Sequence, residues 1–250
     1  MIPELPALVY AAGLVFARLG AILMLLPGFG EPSIPVRFRL AFALLFCLIL
    51  GPIIAPSLPV MPEQPLAMAG IVMSELIIGL MIGAVARIFM STAAVAGQVI
   101  GMQSGLAMAQ SFDPSQGAQG ALISTFLNLT FLMLLLATNT HHMLLQMAAN
   151  SYQVFDPGSM PSLTDAADWA LSAFVDAFRI GVQLASPLIM YGLLFYLALG
   201  VLSRLMPQAQ IFFIAMPSNI MIGLFILTIA LGAMSGVWLE RMQRFAMDMN

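Results

Sequence analysis

Between residues 66 and 104 the chain runs without a proline and with only Glu75 and Arg87 charged. As one helix this stretch would be ~58 Å long at ~1.5 Å per residue, about twice the ~30 Å hydrocarbon core of a bilayer. It must therefore break, project beyond the membrane, or be surrounded by protein instead of lipid. Toward its end the sequence turns polar and glycine-rich, as Gly97-Gln-Val-Ile-Gly101-Met-Gln-Ser-Gly105-Leu-Ala-Met-Ala-Gln-Ser-Phe-Asp-Pro-Ser-Gln-Gly117-Ala-Gln-Gly120. Within hydrocarbon an irregular backbone is tolerated only where protein covers it or where it lines a water-filled cavity, because unpaired N–H and C=O groups are costly there. A pore or gate is the first idea this segment raises.

The remaining sequence is equally apolar. With 61% hydrophobic residues, 8% charged residues and a mean hydropathy of +1.01, it lies far from the soluble norm of about 45–50% apolar and about 25% charged. It reads as an integral membrane protein. The 8 basic residues are all Arg, spread singly or in pairs, which leaves no basic patch for nucleic acid. The N-terminal MIPELPALVYAAGLVFARLG lacks a basic stretch ahead of its apolar run and reads as a retained first helix, not a signal peptide. Cys47, the single cysteine, is expected to be a buried apolar thiol.

The expected fold is all-α, built from membrane-associated helical hairpins with long, kinked helices. Apolar runs place candidate spans at 5–26, 37–54, 66–104, 119–138, 139–154 as a shorter continuation, 179–204 and 217–240. Proline-rich connectors separate them at 27–35, 52–65 and 156–161, because proline lacks the backbone donor and disfavours helix at the preceding residue. After the third connector Ser162 or Thr164 can cap a helix whose first turns hold Asp165 and Asp168. The more polar, amphipathic segment 164–178 marks a boundary between an N-terminal part, 1–160, and a C-terminal hairpin, 161–250. That hairpin is expected to turn at Arg204, Pro207 and Gln208, with Pro187 and Pro217 kinking or restarting its helices. Threading six spans by the positive-inside bias sets Arg37 and Arg39 against Arg241 and Arg244. Insertion into an assembly would relieve that conflict.

Glycines four apart recur at Gly79 and Gly83, at Gly97, Gly101 and Gly105, and at Gly232 and Gly236. This spacing lets helix backbones approach closely, either within the chain or against other subunits. Three charges, Arg18, Glu75 and Arg87, fall inside apolar runs, where charges are costly and are paired or functional. Glu75 and Arg87 lie about 120° apart around an ideal helix and cannot pair locally. An ion pair of Arg18 with Glu75 across helices is preferred over a proton relay, which needs a chain of acids. His141 and His142, the only histidines, lack a spaced set of further ligands for a metal. No arrangement for nucleophilic catalysis or nucleotide binding is present, and no cofactor is expected.

In the polar stretch Gln98, Gln103, Gln110, Ser111, Asp113, Ser115, Gln116 and Gln119 supply hydrogen-bonding groups, while Met102, Met108 and Phe112 interrupt them with deformable apolar bulk. Such a mixture suits a displaceable plug, with polar groups satisfying the backbone and Met and Phe sealing against water and ions. An ordinary aqueous loop between spans is the competing reading.

Over nearly its whole length the chain resembles the FliR family of flagellar biosynthetic proteins and their counterparts in virulence type III secretion systems. The resemblance rests on an ordered set: Arg18-Leu-Gly20, Pro27-Gly-Phe-Gly30, Ile34-Pro35, Glu75 with Gly79 and Gly83, and Gly101-Met-Gln-Ser-Gly105-Leu. The set continues through Phe112-Asp113-Pro114, Asn139-Thr-His141, Ser151-Tyr152, Arg204-Leu-Met-Pro207-Gln208, Ile211-Phe212 and Pro217. Thr140 departs from it, standing where members often carry Gly. The resemblance implies an export gate in which this subunit assembles with FliP and FliQ into a closed helical cone that passes unfolded flagellar subunits. It implies that the N-terminal part is similar to FliP and the C-terminal hairpin to FliQ. It also implies that Leu106 through Leu122 form the pore plug, with Leu106, Met108, Gln110, Phe112, Asp113, Pro114 and Gln116 as its members. Energy would come from the FlhA and FlhB export proteins, the proton gradient and a separate ATPase. A small-solute secondary transporter with a midplane site at broken helices is the rival reading. Against it stands the lack of an inverted repeat.

Overall fold

The computed structural model describes residues 5–106, 122–206 and 211–248, and no strand occurs among them. The helices are α1 (Leu5–Leu25), α2 (Val36–Ile54, followed by a single 3-10 turn at Ala55–Ser57), α3 (Pro65–Gln103), α4 (Leu122–Ala137), α5 (Thr140–Val154), α6 (Leu163–Leu205) and α7 (Ile211–Asp248). Five are long and apolar enough to cross a membrane, or up to six if α4 and α5 count as one broken span.

The breaks follow backbone chemistry. Pro65 opens α3 at a position where its missing N–H costs nothing. Between α4 and α5 the axis bends by 77°, and the hinge residue Asn139 takes φ 58°, a left-handed conformation that Asn tolerates better than most residues. Ser162 caps α6, its Oγ accepting from the Asp165 N–H at 3.4 Å, and Asp165 adds negative charge to the first turn.

Two expectations need correction. The span expected at 179–204 begins earlier, since α6 runs unbroken from Leu163 to Leu205 and takes in the polar segment 164–178. No proline or glycine interrupts the chain between Ser162 and Arg179, so nothing stops the helix there. Of the two alternatives at Pro187 and Pro217, a kink or a restart, the restart is excluded, since Pro187 lies inside α6 and Pro217 inside α7, which begins at Ile211. The 39 residues of α3 form one helix with no break. Residues 119–121 of the expected fourth span lie outside the described residues.

Two compact units divide the chain, one comprising Met1–Phe89, Leu135–Val175 and Met242–Asn250, the other Met90–Leu134 and Asp176–Arg241. In the first, α1 packs against α2 and α5. It buries Leu14, Arg18, Leu19 and Ile22, which recur at helical spacing on one face. In the second, Phe131 of α4 stacks on Trp238 of α7 with ring centroids 4.7 Å apart, and Ala93, Ala96 and Ile100 of α3 and Leu184 and Leu188 of α6 are buried.

Large apolar side chains also face outward: Phe38, Leu45, Leu48 and Ile53 on α2, Met190, Leu193 and Leu197 on α6, Met221, Phe225 and Ile229 on α7. Apolar faces this extensive are unfavourable in water, and they suit lipid or other subunits.

Candidate functional site

Arg18 and Glu75 meet in the first unit because α1 and α3 approach one another at glycines. A Cβ on Gly79 would run into the backbone carbonyl of Arg18 and lie 2.9 Å from the Ala21 Cβ, and one on Gly83 would lie 2.8 Å from the Leu25 Cβ. One turn before Gly79, Glu75 thereby comes within reach of Arg18. Arg18 Nε donates to Glu75 Oε2 at 2.6 Å and Nη2 to Oε1 at 3.0 Å, a bidentate geometry in which both side chains are 0% exposed. Arg18 Nη1 donates to the carbonyls of Ser151 (3.1 Å) and Phe155 (2.9 Å), and the guanidinium lies 4.2 Å from the centroid of the Tyr152 ring. Glu75 Oε1 also accepts the Gly158 N–H at 2.7 Å. Gly158 has φ 79° and follows Pro157 in a turn closed by the Ser159 N–H to the Asp156 carbonyl at 3.2 Å. This is a type II arrangement that calls for glycine at its third position. One buried ion pair thus ties α1, α3, the end of α5 and the turn at 156–159 together, and its remaining hydrogen-bonding capacity goes to backbone groups.

At the far end of α3, in the second unit, three consecutive residues are anchored. The Gln103 carbonyl accepts from Asn219 Nδ2 of α7 at 3.2 Å. A Cβ on Gly223 would lie 2.7 Å from the Ser104 Cβ. Gly105 takes φ 75° and ends the helix against Asn219. Earlier in α3, the backbone of Ser124 lies where a Cβ on Gly97 would be, and Ser124 Oγ donates to the Ala94 carbonyl at 3.1 Å. A Cβ on Gly101, Gly232 or Gly236 would meet nothing within 4 Å among the described residues, so no described part of the chain packs on them.

The other expected positions are dispersed. Arg87 is 42% exposed and pairs with Glu31 at 3.5 Å, its Nη1 also donating to the Gly30 carbonyl at 3.4 Å. At 3.5 Å and with the Arg87 side chain open to its surroundings, such a pair contributes little to stability. Arg204 is exposed in the last turn of α6, where its charge suits the helix dipole. Of the plug members only Leu106 is described, and it is half-buried. Met108, Gln110, Phe112, Asp113, Pro114 and Gln116 lie outside the described residues, as do Pro207 and Gln208 of the hairpin turn. His141 and His142 lie against one another, ring centroids 4.1 Å apart, and no group of residues able to hold a metal occurs among the described residues.

A match to the family described as bacterial export proteins, family 1, extends over residues 9–245. The chain belongs to that family. Within it, the flagellar biosynthetic protein FliR of Caulobacter vibrioides is 42% identical, the similarity covering 93% of each chain. FliR of Bacillus subtilis is 30% identical over 87% of this chain and 85% of its own length. The surface presentation of antigens protein SpaR of Salmonella typhimurium is 28% identical over 85% of this chain and 80% of its own. The resemblance to the FliR proteins read from the ordered motifs is thus shown by comparison of whole chains.

Some structural partners in this export protein escaped the sequence reading. The carbonyls of Ser151 and Phe155 and the N–H of Gly158 leave no side-chain signature. Asn219 did leave one, as an amide at the head of the apolar run from Ile220 to Leu231, since an uncharged polar residue at membrane depth seeks a partner.

Proposed function

We propose that the chain is a subunit of the flagellar type III protein export gate, sited in the bacterial inner membrane at the flagellar basal body. Whole-chain similarity to FliR proteins carries this reading, and the higher identity to a flagellar relative than to SpaR favours the flagellar over the virulence system. The gate subunit assembles with FliP and FliQ, works with the FlhA and FlhB export proteins, and passes unfolded flagellar subunits without catalysis or cofactor. Residues 106–122 act as the plug of the channel. An N-terminal part similar to FliP ends near residue 160, which falls in the non-helical connector before α6, and the remainder, similar to FliQ, comprises the long helices α6 and α7.

Assembly with unlike subunits is supported by three features. Helix α3 is unbroken although it is far longer than a bilayer is thick. Gly101, Gly232 and Gly236 have open space where close-packing glycines have neighbours. Apolar faces are exposed on α2, α6 and α7. Copurification from membranes followed by mass analysis checks this reading. A gate subunit comes with unlike partners in a defined complex, whereas a solute transporter runs alone or as a symmetric oligomer.

A further inference from the structure

We propose that Asn219, with Gly223 and Gly192, clamps residues 103–105 and thereby sets the direction in which the chain leaves α3, making Asn219 a positioning residue for the plug. The proposal rests on the plug reading of residues 106–122. Each of the three residues at the end of α3 has its own seat on α6 or α7. The side chain of Gln103 fills the space that a Cβ on Gly192 of α6 would need. Its carbonyl, one of those a helix leaves unpaired at its C-terminus, accepts from Asn219 Nδ2. Ser104, 1% exposed, presses against Gly223. Gly105 abuts Asn219, and a Cβ there would lie 2.9 Å from Nδ2.

Asn219 and Gly223 are one turn apart and share a face of α7, so donor and gap are presented together. The amide is 2% exposed, and its Oδ1 has no partner among the described residues. A leucine would bury more favourably at this depth, but only a donor can hold one particular carbonyl. What the asparagine supplies is direction: it fixes which residue ends the helix, and the left-handed Gly105 then turns the chain. A displacement of α7 would pass to the root of the plug through this contact.

The test uses the complex assembled with its partner subunits, carrying Cys47→Ala and a Leu106→Cys reporter. Asn219→Asp keeps the shape but replaces the donor with a carboxylate that repels the Gln103 carbonyl. It is expected to raise the thiol-labelling rate at position 106 about tenfold and to raise ion leak across the membrane, with the mass of the complex unchanged. Gly223→Ala is expected to act in the same direction, and adding Ser104→Gly, which removes the opposing Cβ, to return both readouts toward the parent. Unchanged labelling in the assembled Asn219→Asp complex overturns the clamp. So does faster labelling without leak when deletion of residues 110–118 does leak. If that deletion does not leak either, the plug reading is what fails, and labelling alone decides the clamp. Should Asn219→Asp not assemble, the Gly223→Ala variant and its Ser104→Gly reversal decide it.

Discussion

Glu75→Gln is expected to lower the amount of protein in the membrane severely and to lower the melting temperature of the purified complex. Glu75 and Arg18 are both fully buried, and removing one partner of such a pair leaves an uncompensated charge, at a cost of about 3–5 kcal/mol. That is a large fraction of the ~5–15 kcal/mol by which a typical domain is stable. Glutamine can still accept the Gly158 N–H that Glu75 Oε1 holds at 2.7 Å, so the loss isolates the charge more than the turn. The double variant Arg18→Met with Glu75→Leu removes both charges and is expected to recover part of the stability. Recovery stays incomplete because Arg18 also satisfies the carbonyls of Ser151 and Phe155, which no apolar side chain can do. A single variant with parental abundance and melting temperature would show that the pair does not hold these helices together.

Deleting residues 110–118 is expected to leave the complex assembled while opening it to ions. The root of the segment is held independently of its tip, since Gln103, Ser104 and Gly105 are seated on α6 and α7 and α4 is held by Ser124 against the Ala94 carbonyl. On the plug reading, removing the polar and bulky side chains between those anchors takes away the seal, while the contacts of Gln103, Ser104, Gly105 and Ser124 remain. Conductance of the reconstituted complex, compared with the parent at equal copy number, measures the effect. Equal conductance from intact complexes would remove the plug role.

Much of this architecture is legible in the amino-acid order. Runs of apolar residues punctuated by Pro27, Pro35, Pro65 and Pro157 locate the helices to within a residue or two where both ends are described and no polar stretch continues the helix. Arg18 and Glu75 point to each other because each alone would be prohibitive in an apolar run. The backbone half of their network is not legible, since the carbonyls of Ser151 and Phe155 look like every other carbonyl until α5 and the 156–159 turn are in place. Polarity at 164–178 set the start of the next span too late, at residue 179, although nothing there breaks a helix. Glycine spacing shows that close approach is possible but not what approaches. The same four-residue interval gives a tight crossing with α1 at Gly79 and Gly83 and open space at Gly232 and Gly236.

Secretion is the most direct measure of a protein export subunit. In a strain lacking this chain, hook and filament proteins are expected to disappear from the culture medium while remaining in the cell, and expression of the chain is expected to restore both secretion and swimming. Normal amounts of secreted flagellar subunits in its absence would contradict its place in the export gate.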